Sequence, residues 1–112
     1  MRKLATLPNV FVKLSMLGFA VPGWWDKGAV QMAAAKGIVK DLVAWFGPQR
    51  CMFASNWHIN AVVSDSDGLS SSSPSPSELV RTMAEWLTEF GLSEAERASV
   101  FADTARRFYR LE

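Results

Sequence analysis

Asn56 closes a short apolar run, Cys51-Met52-Phe53-Ala54-Ser55, and is followed at once by Trp57 and His58. An amide, a large aromatic ring and an imidazole thus stand side by side. His58 is the sole histidine, and imidazole is the side chain that titrates near neutral pH. The Asn56 amide donates and accepts hydrogen bonds, but it takes up no proton and neutralises no dication. Asparagine is also a common turn residue, so Asn56 reads equally well as the cap of a strand end. His58 reads either as a substrate contact or proton shuttle, or as a hydrogen-bonded loop residue far from other ligands.

A second group lies upstream. Trp24 and Trp25 follow the apolar run Val10 to Ser15, and Lys13 sits within that run. Aromatic rings beyond a strand end can wall an organic substrate pocket. They can equally pack loops over the rim of a fold. Lys13 has two readings. Facing inward, its ammonium would pair a carboxylate, and facing outward it would snorkel between covering helices. Cys51 has no second cysteine to bridge and no neighbour at metal-ligand spacing, so a buried, inert thiol is expected. Asp65 and Asp67 lie in a serine-rich run and read as solvated, since a cation would need more oxygen ligands. Arg106, Arg107 and Arg110 read as a helix C-terminal cluster favoured by the macrodipole.

Composition narrows the field. With 112 residues the chain can hold one small domain. Apolar residues make up 49% and charged residues 21%, the balance of a globular protein. A net charge of +1 steers neither nucleic acid nor an anionic membrane toward it. No apolar stretch is long enough to cross a bilayer, and the start lacks the apolar core of a signal peptide. A reducing, cytoplasmic setting is therefore expected.

The elements that must position these residues follow from periodicity. Residues 10–15 and 51–55 are β-rich and apolar on both faces, as in a parallel sheet covered by helices. Gly18 and Pro22-Gly23 mark a loop after the first strand. Residues 29–46 have helical spacing, with Ile38, Leu42 and Trp45 on one face and Val39, Val43 and Phe46 beside it. Gly47-Pro48 stops that helix. Strand, helix and strand in this order form a right-handed parallel βαβ unit. Residues 61–77 are serine-rich and form a long loop, functional or disordered. Ser75 and Glu78 then make a capping box with Pro76 at the first helical position. Leu79, Met83, Trp86, Leu87 and Phe90 line one face of the helix that follows. Ser93 and Glu96 cap another helix to about Asp103, and Thr104 to Tyr109 closes the chain.

Two parallel strands flanked by helices make a poor self-contained fold, because each strand keeps an unpaired edge. The α/β pattern asks for more strands, supplied by a closed barrel or by an oligomer that completes the sheet. The segment Pro8-Asn9-Val10-Phe11-Val12-Lys13-Leu14-Ser15 resembles a "PNVYVKLSGL" segment of the amidohydrolase-related family. Residues 46–57, Phe-Gly-Pro-Gln-Arg-Cys-Met-Phe-Ala-Ser-Asn-Trp, resemble that family's "FGPDRCMFGSDWP". Residues 92–97 and 104–111 are similar to its closing helices.

The resemblance implies a (β/α)8 barrel, with residues 1–112 as its C-terminal fragment and strands 10–15 and 51–55 as the seventh and eighth. It implies a hydrolase of the lactonase type, acting on a cyclic ester or amide-like bond of a small organic molecule. Barrel active sites lie at the C-terminal ends of the strands. This places Asn56 as the catalytic candidate, with Trp57, His58, Lys13 and Trp24 as substrate-binding candidates. Family members often bind a divalent metal such as zinc through paired histidines that have no counterpart here. Asn56 stands where much of the family has an aspartate, so no cofactor or metal is expected in this chain. Two alternatives remain: a truncated, non-catalytic product, or a module that self-associates through its strand edges. A third is a helical interaction domain over residues 77–111.

Overall fold

The computed structural model describes residues 1–56 and 74–112. Trp57, His58, Asp65, Asp67 and most of the serine-rich run lie outside the described residues. The chain starts with a short helix, α1 (Arg2–Ala5), ahead of strand β1 (Val12–Leu14). A one-turn helix, α2 (Leu17–Ala20), and the long helix α3 (Ala29–Phe46) follow. A 3-10 turn over Pro48–Arg50 leads into β2 (Cys51–Phe53). Then come α4 (Pro76–Glu89), α5 (Glu94–Ala98), a π-helical stretch over Ser99–Asp103, and α6 (Thr104–Tyr109).

The strands pair in parallel, with Val12 opposite Cys51, Lys13 opposite Met52 and Leu14 opposite Phe53. One further bond, from the Ala54 N–H to the Leu14 carbonyl at 3.3 Å, carries the ladder past β2. The expected strand–helix–strand unit is present, with strands shorter than the apolar runs that announced them. The loop after β1 holds a helical turn, α2, that the Gly and Pro spacing did not announce. It opens on Met16 in a left-handed conformation, φ 55°.

The ends of the elements explain their lengths. Gly47 has φ +78°, a conformation that glycine adopts without steric cost, and its N–H meets the Val43 carbonyl at 2.9 Å. Pro48 prevents the helix from resuming. At the start of α4, the Ser75 hydroxyl accepts the Glu78 N–H while the Glu78 carboxylate accepts the Ser75 N–H. Its far end closes with Gly91 N–H on Thr88 and Leu92 N–H on Leu87, both carbonyl bonds of a Schellman stop. Ser93 and Glu96 repeat the capping box.

The core lies on one face of the sheet. Val12, Leu14 and Cys51 face the buried stripe of α3, formed by Ala35, Val39, Val43 and Phe46. Leu79, Met83, Trp86 and Leu87 of α4 complete it, with Val100 from the π-helical stretch. Of the two apolar stripes expected on α3, the structure buries the one with Val39, Val43 and Phe46 rather than the one with Ile38, Leu42 and Trp45. That stripe is only half covered, and Ile38 is exposed, because the sheet takes the neighbouring stripe instead. Lys36 of α3 and Glu89 of α4 form an ion pair that ties the two helices together. No described helix is long and apolar enough to cross a membrane.

Candidate functional site

Both strands end at one edge, where the chain turns sharply. Met16 and Asn56 each adopt a left-handed backbone, with φ 55° and 45°. Asparagine visits this region far more readily than methionine, so Asn56 suits its turn while Met16 carries strain. Strained residues persist where surrounding packing enforces them, and they cluster at functional sites. Asn56 is half-buried at the C-terminal end of β2.

Trp24 is folded back onto this edge. It is buried, and its ring meets Trp86 of α4 edge-on with 5.8 Å between centroids. Trp25 meets Trp24 in the same manner at 5.4 Å. The loop after β1 is thereby locked to the helix after β2. Between them lies a cleft lined by Ser15, Met16, Phe53, Ser55 and Trp24 on the strand side, and by Thr82, Met83 and Trp86 on α4. Among the described residues it offers about 20 Å³, room for a water-sized group. Its walls are apolar apart from the hydroxyl-bearing Ser15, Ser55 and Thr82. Sequence reasoning missed these three. Thr82 was legible, since it falls three residues after Leu79 and four before Trp86, on the buried face of α4.

Lys13 lies on the other face of the sheet. Its neighbours Val12 and Leu14 turn into the core while Lys13 is exposed, with its ammonium 5.3 Å from the Tyr109 ring centroid. It does not snorkel between the covering helices, and it points away from the Trp24 cleft. The candidates therefore divide. Asn56 and Trp24 share the strand-end edge, Lys13 occupies the opposite face, and Trp57 and His58 fall outside the described residues.

Arg50, part of the segment that leads into β2, ties distant backbone together. Its guanidinium donates to the carbonyls of Ala5 at 2.9 Å, Leu7 at 2.7 Å and Val10 at 3.4 Å, and its Nε donates to Phe46 at 3.0 Å. It pins the approach to β1 against the end of α3, just before β2. Arg107, expected to answer the helix dipole, also donates to the Gln49 carbonyl at 3.1 Å. Thr104, fully buried, donates to the Pro48 carbonyl at 3.1 Å. Cys51 is buried as expected, and burial pushes its thiol up to about 12 against the smaller opposing effect of Arg50.

The chemistry of this donor set does not fit a zinc ion. Among the described residues no three His, Cys, Asp or Glu side chains come together, and the strand-end donor is an amide.

Two parallel strands joined through a covering helix and ending at one edge are the repeating unit of an α/β fold. The amidohydrolase family model (Amidohydro_2) matches residues 1–111, and the chain belongs to that family. The chain is 32% identical over 99% of its length to an L-fucono-1,5-lactonase from Burkholderia multivorans. It is 31% identical over 99% of its length to an uncharacterised protein, y4mH, from Sinorhizobium fredii. It spans 34% of the first relative and 31% of the second, about a third of their lengths. A solved amidohydrolase from Burkholderia multivorans, crystallised with bound HEPES, superposes with a TM-score of 0.80 at 30% identity. That match covers 99% of this chain and 35% of the other.

Proposed function

We propose that this chain is the closing part of a (β/α)8 amidohydrolase barrel that hydrolyses a lactone or another cyclic ester of a small organic molecule. The observation that carries the reading is the similarity to a lactonase, spread over 99% of the chain. β1 and β2 are then the last two barrel strands, and their shared end belongs to the mouth of the site. Asn56 is the catalytic candidate. Its amide N–H donates to the carbonyl oxygen of the cyclic ester and stabilises the negative charge that develops during attack. It serves as neither base nor metal ligand. Trp24 backs the wall of the pocket through the loop that it anchors. Trp57 and His58 follow Asn56 directly in sequence and are assigned to substrate contact. Lys13, on the opposite face of β1, lies in the barrel interior on this reading and offers a cation to a carboxylate from another strand. The substrate is a small molecule, neither nucleic acid nor lipid surface, and the setting is cytoplasmic.

The test is a chimera in which this chain replaces the matching third of the Burkholderia multivorans lactonase. Turnover of L-fucono-1,5-lactone should survive the exchange. Asn56→Ala should then lower kcat about 100-fold with a smaller change in KM. A folded chimera that hydrolyses no lactone rejects the reading. The 112-residue chain alone should hydrolyse nothing and carry no stoichiometric zinc in metal analysis.

The unpaired strand edges favour a second reading, a non-catalytic module that associates with copies of itself. Lactone turnover by the chimera, lost on Asn56→Ala, would exclude it.

A further inference from the structure

Each of the two left-handed residues at the strand ends follows a serine. Ser15 precedes Met16 after β1, and Ser55 precedes Asn56 after β2. Both serines line the cleft at the strand-end edge, and Thr82 lines it from α4. All three residues are half-buried, and among the described residues none of their hydroxyls bonds to another protein group. A helical threonine commonly turns its hydroxyl back onto its own helix. Thr88 of α4 does so, donating to the Ala84 carbonyl at 2.8 Å, and Thr82 does not. Among the described residues no charged side chain lines the cleft. The edge-on contact of Trp24 with Trp86 fixes the loop after β1 against α4, so the walls are set in advance. Three hydroxyl-bearing side chains, from three segments, thus line one small and otherwise apolar space.

The size and chemistry of that space match a water molecule. The cleft offers about 20 Å³. An ordered water needs roughly 10–15 Å³ of such space and about two to four polar partners. A hydroxyl without a partner in a half-buried site is costly, and a bridging water removes that cost. An ion is disfavoured, because no charge in the wall offsets its desolvation. We propose that Ser15, Ser55 and Thr82 hold one ordered water that ties both left-handed turns to α4, and that Thr82 is thereby a positioning residue for Asn56. Water donates and accepts, so it bonds all three hydroxyls whichever way each is turned. Asn56 follows Ser55 directly, so holding the Ser55 side chain holds the turn that presents the amide. Met16 gains the same support in a conformation that methionine adopts only under constraint. The positioning role rests on the activity proposed above, whereas the water site stands on the cleft alone.

The experiment places the full 112-residue chain in the lactonase chimera and reads crystal structures and steady-state kinetics. The unaltered chimera should show one water within about 3 Å of all three hydroxyls. Thr82→Val keeps the side-chain shape and removes the hydroxyl. It should lose the water, displace Asn56 and lower kcat about tenfold with KM nearly unchanged. Thr82→Ser should restore the water and the rate. Ser55→Ala removes a second partner and should lower kcat in the same way. Thr88→Val, on the same helix but outside the cleft, should change neither the water nor kcat. No water at the three hydroxyls, a substrate hydroxyl in its place, or unchanged kcat in an active Thr82→Val chimera would each overturn the proposal. If the unaltered chimera folds but hydrolyses no lactone, the activity reading fails by itself, and the structures decide the water site. Water in the unaltered and Thr82→Ser chimeras, with its loss and a displaced Asn56 in Thr82→Val, supports it, and any other pattern rejects it.

Discussion

Arg50 joins more parts of the chain than any residue singled out for chemistry. Four carbonyls, from Ala5, Leu7, Val10 and Phe46, receive its guanidinium. A planar fork with five donors serves that geometry, and an ammonium does not. Arg50→Ala should cost about 1.5–3 kcal/mol in urea unfolding, and Arg50→Lys should recover little of it. Asn56 needs a test that separates backbone from amide. Asn56→Gly keeps the left-handed turn at no steric cost, whereas Asn56→Ala should lose about 1 kcal/mol of stability. If the amide does chemistry, both variants lose lactone turnover in the chimera and only the alanine variant loses stability. Cys51 supplies a pH test. Its folded thiol titrates at about 12 against an ordinary value of 9.0, so the folded state holds the proton more tightly. The stability linked to Cys51 is present below pH 9 and is lost as pH rises from 9 toward 12. At pH 8 an aromatic disulfide reagent should react with Cys51 only after the chain is unfolded. Rapid labelling of the folded chain would contradict its burial.

At the scale of elements, what was legible depended on whether the signal was local. Both capping boxes were read from Ser75-Glu78 and Ser93-Glu96, because each is completed within four residues. The buried face of α4 was read correctly as well, since Leu79, Met83, Trp86 and Leu87 form one apolar stripe. α3 left a choice open, because it has apolar residues on two adjacent stripes and periodicity does not say which one the sheet will take. The π-helical stretch at Ser99–Asp103 gave no sign either. It lies against β2, with Phe101 on Phe53 at 5.4 Å between ring centroids. Such wider turns are rare within helices and have no short sequence signature to read. Among the site candidates, Asn56 and Trp24 were legible as strand-end residues, while the side of the sheet taken by Lys13 depended on register. The caps give a prediction at this scale. Ser75→Ala should cost about 1 kcal/mol and fray the first turn of α4. The N–H and hydroxyl of Ser75 hold the Glu78 carboxyl below its ordinary value of 4.5. The contribution of that cap is therefore present above pH 4.5 and fades as pH falls through the lower folded value, and Glu78→Gln should remove the pH dependence.

The whole molecule poses a question of closure. The core is real, with Leu14, Val39, Cys51, Leu87 and Val100 almost wholly shielded from water. Yet the two described strands each present one edge to no other strand, and Phe19 and Val30 are 64% and 78% exposed. A buried backbone group without a partner costs about 1–3 kcal/mol, so these edges must stay wet or find another strand. A whole domain is stable by only about 5–15 kcal/mol, so a few such groups decide the outcome. Water satisfies the edges of an isolated chain, but it leaves the half-covered stripe of α3 without a partner. The isolated chain should therefore unfold over a broad range and bind a hydrophobic dye. Its apparent midpoint should rise with protein concentration as edges pair between molecules. Joined to a complementary barrel portion, the same 112 residues should give one steep transition with no dependence on concentration. Trp45, half covered on α3, and Trp86, buried on α4, lie on opposite sides of this question. On joining, the emission of Trp45 should shift to the blue while that of Trp86 stays in place. A sharp, concentration-independent transition of the monomer alone, with Trp45 unmoved by a partner, would show that the chain closes its own fold.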